Sequence, residues 1–171
     1  GLLEPEEGAI YIEDTPLKEA STGIGYMLQR DHLFEWRTIR ENAALGLEIQ
    51  HQKTREAMQE LDEMLRNYGL AAFASARPSE LSGGMRQRVA VLRAMRMDAD
   101  FLLLDEPFRG LDAGTKKKTM NYIRRKGKEK TILLVTHDLE EAEAMGDWIC
   151  TCSRLDGILE IKRNRKSSTE I

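Results

Sequence analysis

The chain has 171 residues, 41% of them hydrophobic and 32% charged, with a formal net charge of -3. That is the balance of one globular domain; a general nucleic-acid binder would be clearly basic, and no apolar run approaches the ~18 residues of a membrane-spanning helix. Residues 1–8 also lack the charged and apolar regions of a signal peptide, so the cytosol is the expected compartment.

In chain order, Gly1-Leu-Leu-Glu-Pro-Glu-Glu-Gly8 reads as a helix end running into a Pro/Gly turn, followed by a short strand over 9–12. A second short strand, 24–28, ends at Gln29. Leu33, Phe34 and Trp36 then put three large apolar groups within four residues of loop, either tucked under a helix or exposed as a docking patch. Thr38-Ile39-Arg40-Glu41 is a capping box and predicts a helix start. Over 54–68 the residues Met58, Leu61, Met64, Leu65 and Tyr68 form one buried stripe of a further helix, which Gly69 ends. A methionine stripe of this kind is core. Pro78 closes the helical stretch.

Next comes Leu81-Ser82-Gly83-Gly84-Met85-Arg86-Gln87-Arg88, with Ser82 placed as N-cap and Met85, Val89 and Leu92 on one helix face. Gly83 and Gly84 remove side chains where the backbone must approach something closely. Alone, this is a capped helix with a glycine turn. Its free amides and serine hydroxyl also suit an anion, a phosphate above all. Phe101-Leu102-Leu103-Leu104 is uniformly apolar, predicting a strand covered on both faces, and it delivers Asp105 and Glu106 at its end. Asp112 of Gly110-Leu111-Asp112 caps the following helix, with Lys116, Lys117, Lys118, Lys126, Lys128 and Lys130 as its solvated side. The run 131–135 predicts a second buried strand, parallel to the first through a right-handed crossover, and His137 leaves its end. Two parallel strands that each deliver titratable groups at their C-terminal ends place the chemistry at Asp105, Glu106 and His137. Residues 138–141 cap another helix, and Gly146 stops it. Two strands, 148–152 and 158–161, flank the hairpin signal Asp156-Gly157. Cys150 and Cys152 share one face of the first of these and read as reduced packing residues, since one C-x-C lacks the ligands of a structural zinc site. From Lys162 the chain is basic, then rich in Ser and Thr, and is expected to fray.

These blocks, in this order and spacing, resemble the nucleotide-binding ATPase subunit of ABC transporters, and most closely importers of the nitrate, sulfonate and taurine type. Leu81 to Arg88 is similar to the family signature, Phe101 to Glu106 to its Walker B strand, Gly110-Leu111-Asp112 to its D-loop, and His137 to its switch histidine. The resemblance runs from residue 1 to about 161. It implies ATP and Mg²⁺ as ligands, with Asp105 and Gln29 at the metal, Glu106 polarising the attacking water, and His137 and Gln29 reading the γ-phosphate. Ser82, Gly83, Gly84, Gln87 and Asp112 would serve nucleotide binding, the signature acting across a dimer interface on a phosphate held by the other subunit. Where the family usually carries Pro before the loop tryptophan, Glu35 stands here. The family's phosphate loop, G-x-x-x-x-G-K-[ST], does not occur in these residues. The nearest stretch, Gly110-Leu-Asp-Ala-Gly114-Thr115-Lys116, has the wrong spacing and follows the wrong element.

The expected fold is therefore an α/β P-loop NTPase-like ABC ATPase domain over 1–161. It would have a mixed sheet with helices on both faces, a helical subdomain inserted at about 37–97, and no phosphate-loop portion; 162–171 would be a disordered tail. The expected function is ATP hydrolysis powering solute import as a head-to-tail dimer beneath membrane-spanning permease subunits. A solute-binding protein would take part indirectly and nucleic acid not at all, and the subunit would sit peripherally on the inner face of the membrane. The alternative is a chain without ATPase activity of its own that lends its signature to a competent partner. A soluble ABC-type ATPase acting on nucleic acid or ribosomes is a third reading; those usually carry paired cassettes or long insertions, which this chain lacks.

Overall fold

A computed structural model describes residues 5–12, 14–19, 23–155 and 158–165, with side chains up to Thr151. Its centre is a three-stranded parallel sheet in the order β3 (Ile24–Met27), β4 (Phe101–Asp105), β5 (Thr131–Val135). Ahead of it, β1 (Tyr11–Ile12) and β2 (Thr15–Pro16) pair antiparallel in a small hairpin, of which the sequence reading anticipated only the first strand. The expected helix end over 1–4 lies outside the described residues.

Parallel neighbours need crossovers, and these carry the helices. Between β3 and β4 come α1 (Ile39–Ala43), α2 (Leu45–Ile49), α3 (Arg55–Asn67) and α4 (Gly83–Met95), with 3₁₀ turns at Ala71–Phe73 and Pro78–Glu80. Between β4 and β5 lies α5 (Ala113–Lys126), and after β5 comes α6 (Leu139–Met145). The capping box forms as written: Thr38 Oγ1 accepts from the Glu41 amide at 3.2 Å, and Glu41 Oε2 accepts from the Thr38 amide at 2.7 Å. In α3 the stripe Leu61, Met64, Leu65 and Tyr68 is buried, and Gly69 follows with φ of +65°, a left-handed conformation that glycine adopts without steric cost. Two forked ion pairs hold the insert together: Arg40 donates to Asp62 at 2.6 and 2.8 Å, and Arg37 to Glu48 at 2.9 and 3.0 Å.

The sheet departs from expectation in how it is covered. Met27, Leu102 and Leu104 face one way and are at most 1% exposed, packed with α4 and α5 residues in one core. On the opposite face Tyr26, Leu133 and Val135 are 42%, 59% and 52% exposed. Among the described residues, then, β5 is not a buried strand and β4 is fully covered on one face only. A uniformly apolar run reveals that both faces are apolar, and not that both are covered.

At the far end β6 (Trp148–Leu155) pairs antiparallel with β7 (Ile158–Arg165), in register from Leu155 opposite Ile158 to Trp148 opposite Arg165. The hairpin was legible, although its turn, 156–157, lies outside the described residues. Residues 162–165, expected to fray, are instead strand: eight residues of β6 offer backbone partners that outweigh the weak strand preference of Lys, Arg and Asn. Residues 166–171 lie outside the described part. Cys150 is a free thiol, but it is exposed rather than packed; the side chain of Cys152 lies outside the described residues. None of the described helices is long and apolar enough to cross a membrane.

Candidate functional site

Asp105 is the last residue of β4 and pairs with Val135 at the end of β5. The ladder continues for one more bond, from the Glu106 amide to the Val135 carbonyl at 2.9 Å. Residues 31 positions apart thus leave two adjacent strands side by side. Glu106 Oε1 accepts from the His137 amide at 3.2 Å and lies 2.7 Å from His137 Nδ1. A carboxylate acceptor fixes the proton on Nδ1 and leaves Nε2 turned away from it. The hydrogen bond and negative charge of Glu106 raise the imidazole above its ordinary 6.5, with Glu141 and Asp138 adding to the effect. His137 can therefore present a second, charge-assisted N–H to an anion.

Glu106 itself is held unusually. Its side chain is only 11% exposed, its φ is +50°, and its carbonyl accepts from the buried amide of Gln87 at 2.8 Å. A left-handed φ at a non-glycine residue persists only where the surroundings over-determine it. Here the Val135 carbonyl, the Gln87 amide and His137 do so. Gln87, expected among the nucleotide-binding residues, is 6% exposed and serves within this chain as a prop for the Glu106 backbone.

A cleft of about 550 Å³ opens at this edge of the sheet, lined by Gln29, Glu106, Arg109, Lys116, His137 and Asp138 among others. The structure thus brings together Gln29, Glu106 and His137, drawn from the ends of β3, β4 and β5. Asp105 is half-buried, and among the described residues its carboxylate has no hydrogen bond or ion pair within the chain. A single carboxylate without a protein partner fits Mg²⁺, which keeps most of its waters and takes one or two acidic ligands. No cluster of three acidic, histidine or cysteine ligands occurs among the described residues.

Asp105, although it ends β4 next to Glu106, does not line the cleft, and neither do Ser82, Gly83, Gly84 and Asp112. Ser82 caps α4, accepting from the Met85 amide at 3.3 Å, and Asp112 caps α5, accepting from the Thr115 amide at 3.0 Å. The glycine requirement at Gly84 is explained inside the chain: a Cβ there would stand 2.9 Å from the carbonyl oxygen of Gly110. The close approach read as an anion's is, at Gly84, that of the Gly110 loop. At Gly83 the same construction meets nothing within 4 Å, so this end of α4 is open.

Lys116 was missed. Read as part of a solvated helix side, it pairs with Asp138 at 3.2 Å and with Glu141, and these acids raise its pKa, Glu141 most. Its position held a signal: a cation in the first turn of α5 opposes the helix dipole and calls for a nearby acid. Lys130 likewise donates to the Ala99 carbonyl rather than to water alone.

The family model described as ABC transporter matches residues 1–109. An uncharacterised ABC transporter ATP-binding protein of Bacillus subtilis is 45% identical over 161 residues, covering 93% of this chain and 62% of that protein. The formylaminopyrimidine import ATP-binding protein of Halalkalibacterium halodurans is 39% identical over 178 residues, covering 99% and 69%. The taurine import ATP-binding protein of Pelagibacter ubique is 37% identical over 149 residues, covering 86% and 56%. This chain thus spans roughly three-fifths of the length of several of these relatives. Among solved structures, an ATP-binding cassette described as a dimer in a post-hydrolysis state bound to ADP and Pi superposes with a TM-score of 0.83 at 28% identity, covering 98% of this chain and 77% of the other. With the family model matching residues 1–109, more than half of the chain, the chain belongs to the ABC transporter family.

Proposed function

We propose that this chain hydrolyses ATP as part of an ABC importer, paired head to tail with a second copy and docked under membrane-spanning permease subunits on the cytoplasmic face. The observation that carries the reading is the Glu106–His137 pair at the mouth of the cleft. Hydrolysis of a phosphoanhydride needs a positioned water, a proton acceptor and charge stabilisation rather than a covalent nucleophile. Glu106 Oε1 is occupied by His137, which leaves Oε2 to accept a proton from water. His137 Nε2 and the Gln29 amide, both in the lining of the cleft, would read the γ-phosphate. Asp105 would hold Mg²⁺, which when bound neutralises phosphate charge.

The signature residues Ser82 and Gly83, together with Asp112, stand outside the lining of this cleft, which favours their acting on nucleotide held by the opposite subunit. Import is favoured by relatives named for import of taurine and formylaminopyrimidine. The intact pair at Glu106 and His137 speaks against a pure signature donor, which would need no base. The motif G-x-x-x-x-G-K-[ST], whose amides and lysine hold the β- and γ-phosphates, does not occur in the sequence of residues 1–171, so turnover is expected when a segment carrying it is joined upstream. In that fusion, Glu106→Gln should keep ATP binding and slow turnover by about 10² to 10⁴, the range for loss of a general base. Turnover within a few-fold of the parent would remove Glu106 from the water-activating role.

A further inference from the structure

The His137 side chain is 82% exposed, and Glu106 is its one hydrogen-bond partner among the described residues. Packing on the ring cannot hold it there, so its position must come from the backbone of Thr136, His137 and Asp138. That backbone is tied down by a compact polar network. Thr136 Oγ1 donates to Glu141 Oε2 at 2.6 Å and accepts from the Asp138 amide at 3.1 Å. Asp138 Oδ1 caps α6, accepting from the amides of Glu140 and Glu141 at 2.9 and 3.3 Å. Lys116, reaching over from α5, pairs with Asp138 Oδ2 at 3.2 Å and with Glu141 Oε1. The Glu141 side chain is 7% exposed, so without this cation it would be a buried, uncompensated charge.

We propose that Lys116 and Glu141 are positioning residues, a strut between α5 and α6 that holds the 136–138 loop so that His137 meets Glu106. The inference rests on reading Glu106 and His137 as the reactive pair, but it concerns the loop and not the chemistry. Lys116 also lines the cleft and could be taken for a direct phosphate ligand. The charges favour the strut: one cation shared by two carboxylates leaves the trio at net -1, which repels an anion rather than attracting it. Glu106 also holds this loop, accepting from the His137 amide at 3.2 Å, and Arg109 is the remaining charged group in the lining of the cleft.

Hydrogen exchange read by mass spectrometry tests this in the 171-residue chain at low concentration and without nucleotide. It compares the peptide spanning 136–141 with the one spanning 101–105. Lys116→Met should speed exchange in 136–141 by about tenfold or more, the consequence of losing a charge-assisted hydrogen bond, while 101–105 stays within about twofold. Lys116→Arg should restore slow exchange. Should Lys116→Met not fold, the near-isosteric Thr136→Val removes the hydroxyl link and should give the same local loosening. Unchanged exchange in 136–141, or equal acceleration of both peptides, would overturn the strut. Because no turnover is measured, this outcome is separate from that of Glu106→Gln.

Discussion

Glu106 is the residue on which most of the geometry converges, and its left-handed backbone costs on the order of 1–3 kcal/mol. That strain aims the carboxylate at His137, and the pairing has a pH signature. The folded-state pKa of His137 is raised, so its pairing with Glu106 stabilises the fold fully below the ordinary value of 6.5 and loses this effect as pH rises through the folded-state value. The His137 ring proton, followed by NMR, should titrate with a midpoint above 6.5, and Glu106→Gln should bring it back toward 6.5. A midpoint that does not move on that substitution would mean the imidazole is held by something else. At this scale the positions of Asp105, Glu106 and His137 at strand ends were legible, because strand ends show in an apolar pattern, whereas Gln29 was singled out only through the resemblance. Gln87 and Lys116 were not. Their partners lie 19 to 25 positions away, and hydrogen bonds between elements leave no periodicity to read.

Among the elements, the loop after β3 shows how a doubtful reading divides. Leu33 is 8% exposed and belongs to the core, whereas Trp36 is 69% exposed and stacks on half-buried Phe34 at 4.8 Å. Leu33 is thus tucked into the core and Trp36 is exposed, while docking at Trp36 is what the Trp36→Ala variant tests. What fixes the loop is Asn42, fully buried in α1: Oδ1 accepts from the Phe34 amide at 2.7 Å, and Nδ2 donates to the carbonyls of Phe34, Arg37 and Thr38 at 3.0 to 3.3 Å. Asn42→Ala leaves these buried backbone groups without partners and should cost about 2–3 kcal/mol, read as a lowered urea midpoint at unchanged slope. Trp36→Ala should change stability by less than about 0.5 kcal/mol while weakening co-purification with permease subunits. The reverse pattern, lost stability with assembly intact, would place Trp36 in the fold and not at the docking surface. The capping box at Thr38–Glu41, the α3 stripe and the final hairpin were all visible beforehand because their determinants lie within a few residues of each other. The covering of the sheet and the length of β7 depend on what packs or pairs from afar, and a local pattern carries no record of that.

For the whole molecule, the open sheet face is the feature with the largest consequence. Tyr26, Leu133 and Val135 expose contiguous apolar surface, so the 171-residue chain should self-associate. Leu133→Thr with Val135→Thr should lower its light scattering at equal concentration. No change would assign the association to another surface. The same chain should bind ATP at millimolar affinity or not at all, since ~4 kcal/mol of lost phosphate contacts separates a micromolar from a millimolar site. The most direct test of the account takes the chain joined to an upstream G-x-x-x-x-G-K-[ST] segment and carrying Glu106→Gln. Its mass is measured by light scattering with and without ATP and Mg²⁺. If Glu106 drives hydrolysis and the signature of one subunit closes on the nucleotide of the other, the mass should double with ATP and return to that of one chain with ADP. A species that stays single with bound ATP, or doubles equally with ADP, would contradict it.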